Sequence, residues 1–563
     1  MAAAQPTTAA LKVPQGRTRQ GEIDYLTLSF AELEAEAAAW QHRLQTAGVE
    51  RGYRVLVMVR QGLPLIAGVF ALFATGAVPV VIDPGMGRKS FLRCVERSRP
   101  KALLGIPLAQ VLSRVFRQAF KCVEVRVSAS GKNTARCPRP KGTPDNLTVA
   151  DSATDELAAI LFTSGSTGAP KGVRYEHGMF DSQVELIRKT FDIQPGEIDL
   201  PMLPIFALFN PALGMTTVVP EIDPSKPAQV DPAKIVQAIR QEKITNSFGS
   251  PTLWMKIARH CDEKGVALDS MRRVLSAGAP VPPALWETMQ TVLPNGTLHS
   301  PYGATEVLPV SSIDATTVLN ETAPHTLAGQ GTCVGKIIDG NDVKVIALSD
   351  APIASLSDIT ELPTGEIGEI IVRGPTVTKA YDALPEATTK AKITESSKSP
   401  SPDTCNLILD TSGAVAAAAV WHRMGDCGYL DDQKRLWFCG RAAERVNTQS
   451  GPVFSEQVEP IFNTHPEVQR SALIGVGPKG RQRPAIAIEP NNPAVLKTSA
   501  AGRRLGRELH QLAREHAHAA RINLFYFHPG FPVDVRHNAK IHRLTLTEWA
   551  ETEGVGMEVD PKK

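Results

Sequence analysis

The sequence predicts an α/β protein with largely parallel sheets, and three observations carry that prediction. Apolar strand-like runs alternate with amphipathic helix-like runs. A loop of glycines and hydroxyls directly follows one of the apolar runs, and the chain changes character past Arg441. At 563 residues the chain also exceeds what one hydrophobic core organises, so two or more domains are expected.

The elements follow in order. Residues 1–21 carry Lys12, Arg17 and Arg19 without an acid or an apolar signal core, and read as a disordered tail. Ser29-Phe30-Ala31-Glu32 is a capping-box pattern that opens a helix to about Ala47, with Gly48 placed to end it. Arg54–Val59 reads as a strand, Leu63–Thr75 as a helix and Ala77–Ile82 as the next strand. A basic helix and the strand Ala102–Ile106 follow. Further on, a helix from about Pro232 to Glu242 precedes Ser247-Phe248-Gly249, and Arg273–Gly278 precedes another helix. In such folds ligands bind where loops leave the carboxyl ends of strands.

Two stretches break the alternation. Lys132–Asp145, rich in Pro, Lys and Asn, reads as a surface loop, and Leu384–Ala419 reads as an extended excursion or insertion. Past Arg441 a smaller unit is expected, with a helix near Ser455–Phe462 and strands near Ala472–Val476 and Ala485–Ile488. A basic helix from about Ala501 to Ala520 completes it, and 553–563 read as a tail.

Composition narrows the function classes. Hydrophobic residues at 42% and charged ones at 21% are those of a soluble globular protein. A net charge of +3 is too small to mark nucleic acid or an anionic membrane surface as the main partner, and no apolar run is long enough to span a bilayer. The eight cysteines show no Cys-x-x-Cys spacing, which argues against a zinc site or a disulfide framework and favours a reducing, cytoplasmic setting.

The richest stretch is Leu161-Phe162-Thr163-Ser164-Gly165-Ser166-Thr167-Gly168-Ala169-Pro170-Lys171-Gly172-Val173. Glycines let a backbone approach an anion and turn N–H groups toward it. Hydroxyls add short donors, and Lys171 adds a mobile cation suited to a polyphosphate. No Gly-Lys-Ser/Thr ends the run, so it is not a Walker A loop. Three more motifs follow in order. They are Pro301-Tyr302-Gly303-Ala304-Thr305-Glu306, then Gly425-Asp426-Cys427-Gly428-Tyr429 leading to Gly440-Arg441, then His537-Asn538-Ala539-Lys540-Ile541.

This ordered set resembles the adenylate-forming superfamily of acyl-CoA synthetases, firefly-type luciferases and peptide-synthetase adenylation domains, over about Leu26 to Trp549. The resemblance implies a large N-terminal α/β domain (22–440), a small α+β lid domain (441–552) and an active site at their junction. It also implies ATP as substrate with Mg²⁺, and a carboxylate converted to an acyl-adenylate. By the family pattern, Thr163, Ser164, Gly165, Ser166, Thr167, Gly168 and Lys171 surround the β- and γ-phosphates. Thr305 meets the α-phosphate and Glu306 helps hold Mg²⁺. Gly278, Ala279, Pro280 and Tyr302 border the adenine and Gly303 belongs to the same nucleotide-binding set. Asp426 accepts from the ribose hydroxyls with Arg441 in support, and Lys540 bridges carboxylate and phosphate.

Longer runs sharpen the resemblance, among them Phe206-Ala207-Leu208-Phe209-Asn210-Pro211 and Gly451-Pro452-Val453-Phe454-Ser455-Glu456-Gln457. They are similar to the β-lactone synthetases of bacterial long-chain olefin biosynthesis, often labelled fatty-acid CoA ligases. In that group a 2-alkyl-3-hydroxy fatty acid is adenylated and its own β-hydroxyl displaces AMP. A pathway decarboxylase and reductase are the company the resemblance implies, with no nucleic acid and no membrane span.

Three departures bear on the branch. Where acyl-CoA synthetases carry Pro-x-Phe-His, this chain has Pro204-Ile205-Phe206-Ala207, so the His position is Ala207 or an aromatic has moved to Phe209. The Ala442–Gly451 loop is one residue longer than usual with Ala443 at the hinge position, and Met424 replaces the usual Thr. The altered loop and missing His favour lactone formation over transfer to CoA, the second reading. The third, an inactive nucleotide-binding scaffold, conflicts with the retention of Glu306, Asp426 and Lys540. An apolar acyl pocket is expected from Phe206, Leu208, Phe209 and Leu213. His537 is given no role.

Overall fold

The structure, a computed structural model, describes the chain apart from residues 164–169, 224–225, 227–228, 396–419, 497–498, 534–540 and 560–563. Local signals act where the sequence puts them. Ser29 caps the helix Phe30–Thr46, and both halves of the capping box are present, with Glu32 closing back on the Ser29 backbone. Leu63–Thr75 is a helix that ends on Gly76 in the left-handed conformation.

Six strands form one sheet in the spatial order Val125–Ser128, Ala102–Gly105, Arg54–Met58, Val78–Ile82, Leu157–Thr163, Lys171–Glu176. All neighbours are parallel except the last pair, where Thr163 stands opposite Lys171. The hydroxyl-rich loop therefore joins an antiparallel hairpin at the carboxyl end of a strand that is parallel to Val78–Ile82.

A larger sheet is parallel in its middle, from Ala9–Arg17 through Thr216–Val218, Ile198–Pro201, Asn246–Gly249 and Arg273–Ser276 to Thr297–Ala304. From Thr297–Ala304 onward it turns antiparallel, through Val307–Asp314, Thr332–Ile337, Arg435–Arg441, Val420–Leu430, Gly368–Arg373 and Asp342–Ile346. The expectation of largely parallel sheets thus holds for the six-stranded sheet and for the first half of the larger one, and not for the strands beyond Thr297–Ala304. Direct hairpin connections such as the one at Thr305 and Glu306 allow only antiparallel neighbours. The helices Phe30–Thr46 and Leu63–Thr75 lie between the two sheets. Trp40 and Ile66 share one buried cluster with Val57 of one sheet and Leu11 of the other.

Three sequence expectations need correction. Residues 1–21 are not a disordered tail, because Ala9–Arg17 is a strand paired with Ile23–Ser29 and Thr216–Val218 and buries Leu11 and Val13. Leu384–Ala419 is not wholly an excursion. Pro385–Ala391 is a helix and Lys392–Thr394 a strand against Val420–His422, while 396–419 lie outside the described residues. The 553–563 tail includes the strand Met557–Glu558, paired with Leu524 and Phe525. Charge and small residues near a terminus hid short strands whose burial is decided by distant partners.

The last unit is built on Val468–Val476, Arg483–Pro490, Leu524–Phe527 and Met557–Glu558. The helices Ser455–Phe462 and Ser499–Arg514 contribute to its core through Val458, Phe462, Leu505 and Leu509. Arg435–Arg441 still belongs to the large sheet, and the chain reaches the last unit through the hairpin Val446–Thr448/Gly451–Val453.

Candidate active site

One cavity of ≈ 3220 Å³ runs along the carboxyl ends of the parallel strands and on to the last unit. Lys171, Gly278, Ala279, Pro280, Tyr302, Gly303, Thr305, Glu306, Asp426 and Arg441, ten of the sequence-derived site residues, all line it. Thr163 ends its strand at the mouth of the hydroxyl-rich loop. Ser164, Gly165, Ser166, Thr167 and Gly168 lie outside the described residues, as do His537 and Lys540.

The ribose candidate is held most firmly. Asp426 is 3% exposed and stands opposite Arg441 across the strand pair Val420–Leu430/Arg435–Arg441. Arg441 Nη1 lies 2.7 Å from Asp426 Oδ1, and the Tyr302 hydroxyl donates to Oδ2 at 2.6 Å. Burial, and then the carboxylate of Asp426, push the Tyr302 phenol well above its ordinary range, so it stays a donor. The same carboxylate is the main reason that the Arg441 guanidinium is raised. Gly425 precedes Asp426 at φ +65°, a left-handed conformation that lets the strand turn its carboxylate into the cavity.

Thr305 and Glu306 sit in the turn between Thr297–Ala304 and Val307–Asp314. Gly303 makes that turn possible, since a Cβ there would meet the Val307 carbonyl at 2.7 Å and Leu308 Cδ1 at 2.8 Å. Two tyrosines that motif reading missed fix the turn. The Tyr175 hydroxyl donates to the Thr305 carbonyl, and the Tyr381 hydroxyl donates to Glu306 Oε1 at 2.6 Å. The backbone N–H of Thr378 also donates to the Glu306 carbonyl at 2.9 Å. Lys171 Nζ lies 4.7 Å from the centre of the Tyr381 ring, which brings the cation of the hydroxyl-rich loop beside Glu306.

Two buried bases stand behind this group and were also missed. Lys392 donates to Thr378 Oγ1 at 3.3 Å, and burial lowers its ammonium to about 7. His422 sits opposite Lys392 in register, with Nδ1 3.2 Å from the Ala391 carbonyl. Burial, and then Lys392, hold the His422 ring well below its ordinary value, so the ring is neutral. Neither residue occurs in a recognisable pattern. Only strand pairing places them.

The four residues expected to form an apolar pocket do not all share one surface. Phe206, Leu208 and Phe209 line the cavity, and Phe206 stacks on Phe248 with ring centres 3.8 Å apart. Leu213 does not reach it and packs with Phe191, Ile193 and Met215. Ala207 is 1% exposed inside the core between the sheets, so the position of the missing His points away from the cavity. Phe209, 6.4 Å from the Phe180 ring, is the aromatic that faces it.

The last unit closes the far side. Ala442–Glu444 forms a short helical turn, and Arg445 binds Asp350 at 2.7 Å while Lys479 binds it at 3.1 Å. Those two cations lower the Asp350 carboxyl to about 2. Beside them Arg543 Nη2 pairs with Glu459 at 2.6 Å and Nη1 with Glu444 at 3.0 Å, and Thr332 Oγ1 donates to Glu456 at 2.8 Å. Among the described residues no group of three His, Cys, Asp or Glu is arranged to hold a metal, and no helix is long and apolar enough to cross a membrane.

Residues 2–382 match the family described as AMP-binding enzyme. The chain belongs to the AMP-binding enzyme family. It is 44% identical to the olefin beta-lactone synthetase of Xanthomonas campestris pv. campestris, over 99% of this chain and 97% of that one. It is 42% identical to the olefin beta-lactone synthetase of Stenotrophomonas maltophilia, over 98% and 97%. Among solved structures, the amide bond synthetase McbA from Marinactinospora thermotolerans superposes with a TM-score of 0.72 at 22% identity, covering 97% of each chain. ATP-bound MatB from Rhodopseudomonas palustris superposes at 0.73 with 19% identity, over 97% and 96%. As a member of the AMP-binding enzyme family the chain is an AMP-forming ligase with ATP as a substrate. Its fold is that of the adenylate-forming enzymes.

Proposed function

We propose that this ligase activates a long-chain 2-alkyl-3-hydroxy carboxylic acid as its acyl-adenylate and closes it to a β-lactone. The observation that carries this reading is the 44% identity, over nearly the whole of both chains, to a protein named olefin beta-lactone synthetase. The apolar aromatic wall of Phe206, Phe209 and Phe248 supports a long-chain substrate.

In the first step a carboxylate oxygen attacks the α-phosphorus of ATP and pyrophosphate leaves. Anions converge, so donors and cations must offset the charge that develops. Lys171 and the Thr163–Gly168 loop are the proposed hold on the β- and γ-phosphates, with Thr305 at the α-phosphate and Lys540 between carboxylate and phosphate. Asp426, backed by Arg441 and Tyr302, accepts from the ribose hydroxyls, and Gly278, Ala279, Pro280 and the Tyr302 ring border the base. The Glu306 carboxylate, a hard oxygen ligand steadied by Tyr381, fits Mg²⁺. The ion would neutralise charge on the phosphates.

In the second step the β-hydroxyl oxygen of the same molecule attacks the activated carbonyl carbon. The carbonyl–phosphate C–O bond breaks, AMP leaves and the hydroxyl proton passes to solvent. Covalent connection makes the attack unimolecular, and a high effective concentration works against ring strain. The chemistry requires an upstream reduction that makes the 3-hydroxyl, and a downstream decarboxylation of the lactone gives an alkene. A cytoplasmic setting suits both.

The test is product analysis with a racemic 2-alkyl-3-hydroxy acid, ATP and Mg²⁺, run with and without CoA. AMP and a lactone are expected in both arms. Turnover that requires CoA and yields a thioester would overturn the reading.

A further inference from the structure

The charge of the whole chain conceals a local asymmetry. Between Arg88 and Lys141 stand fourteen Lys and Arg residues against two acids, Glu96 and Glu124, in a chain whose total is +3. Arg88, Lys89 and Arg93 are exposed on the helix Arg88–Ser98, and Arg114, Arg117 and Lys121 are exposed beyond the next strand. The two groups are neighbours, because Val95 and Phe120 share one buried cluster with Phe91 and Phe116 against it. Arg114 and Arg117 direct guanidinium donors to the carbonyls of Gln110 and Arg114 rather than to carboxylates.

The helix Pro107–Val115 among these cations is amphipathic in the reverse sense for a water-facing helix. Two of its polar residues, Gln110 and Ser113, point inward, while Arg114 is exposed. Gln110 is buried and donates to the carbonyls of Gly105 at 3.2 Å and Val127 at 2.9 Å, and Ser113 is buried beside it. Three of its apolar residues point outward, with Leu108 62%, Val111 56% and Val115 65% exposed, while Ala109 is buried. The spacing i, i+3, i+7 sets these three on one face. The stripe also meets the cavity, since Leu108 and Leu112 line it together with Ile106 and Ala109.

We infer that the helix Pro107–Val115 and its surrounding cations dock on an anionic phospholipid bilayer, so that a lipid-borne acid passes from the bilayer past Leu108 into the cavity. An exposed aliphatic stripe ringed by Lys and Arg is the composition of a surface that lies in the headgroup region. The bilayer as source of substrate rests on the long-chain reading above; the docking itself does not.

Co-sedimentation of the full chain with vesicles of phosphatidylglycerol and phosphatidylcholine, against phosphatidylcholine alone, tests the inference. Retention on the anionic vesicles is expected, weakened by high salt. V111E/V115E and R114E/R117E should each reduce it, by about fivefold per cation removed in the second case. Both variants should keep ATP–pyrophosphate exchange with a short soluble acid, which shows that they fold. No retention of the wild type, or retention unchanged by both variants, overturns the inference. Capture by an acidic protein with vesicles ignored also overturns it. Retention of a chain that activates only short acids leaves the docking intact and refutes the long-chain reading instead.

Discussion

The Tyr302 hydroxyl hydrogen-bonds Asp426 across 124 residues of sequence, and the donor and acceptor come from two strands separated by others in the same sheet. The bond orients one carboxylate oxygen while Arg441 takes the other. A buried carboxylate held in this way is ready to accept from a ligand without first reorganising.

Asp426→Asn removes the charge that Arg441 and Tyr302 are arranged around. The KM for ATP in pyrophosphate exchange should rise roughly 10- to 100-fold, as for loss of a charged hydrogen bond. Tyr302→Phe should have a smaller effect in the same direction. A KM for ATP in Asp426→Asn equal to that of the wild type would refute the ribose role.

Tyr381→Phe frees one oxygen of Glu306 from its hydroxyl donor. The Mg²⁺ concentration for half-maximal exchange should increase, by about 2- to 10-fold for one lost orienting bond. Glu306→Gln should raise it further. Titration of exchange rate with Mg²⁺ at saturating ATP checks both variants, and identical curves would exclude the proposed ion site.

Gly303→Ala forces a Cβ into the turn, against the Val307 carbonyl and Leu308. Because that turn carries Thr305 and Glu306, stability should fall by about 1–3 kcal/mol and exchange activity should drop with it. Thermal unfolding and pyrophosphate exchange measured on the same sample decide the point.

Burial raises the Glu456 carboxyl from an ordinary 4.5 to about 7, with Glu459 adding to the effect. Between those values the folded protein holds a proton that the unfolded chain has released, so stability falls as pH rises from 4.5 to 7. The penalty is absent below 4.5 and complete above 7. Glu456→Gln keeps an acceptor for Thr332 without the charge. Its Tm should exceed that of the wild type at pH 8 and match it near pH 4, and equal values at pH 8 would contradict the assignment.

Local chemistry made much of this molecule readable. The capping box at Ser29 and Glu32, the Leu63–Thr75 helix and the Ser455–Phe462 helix each depend on residues within a few positions of one another. The apolar strand that ends at Thr163 was readable for the same reason. Leu11 was not, because its burial depends on a strand more than 200 residues away. Tyr175, Tyr381 and Lys392 were equally invisible. A phenol or an ammonium becomes part of a site only when the fold carries it there.

By itself the sequence carried the motifs: a loop of glycines and hydroxyls, a Thr-Glu pair, an Asp, an Arg and a lysine near the end, in an order that resembles the adenylate-forming enzymes. It also showed the departures at Ala207 and in Ala442–Gly451. Tertiary structure decided the rest. It turned Ala207 into the core and Phe209 toward the cavity, and it set Tyr381 on Glu306. It also faced Leu108, Val111 and Val115 outward among cations. Motifs are legible because they are contiguous, whereas burial, pairing and the direction of a side chain are set by contacts between segments far apart in the chain.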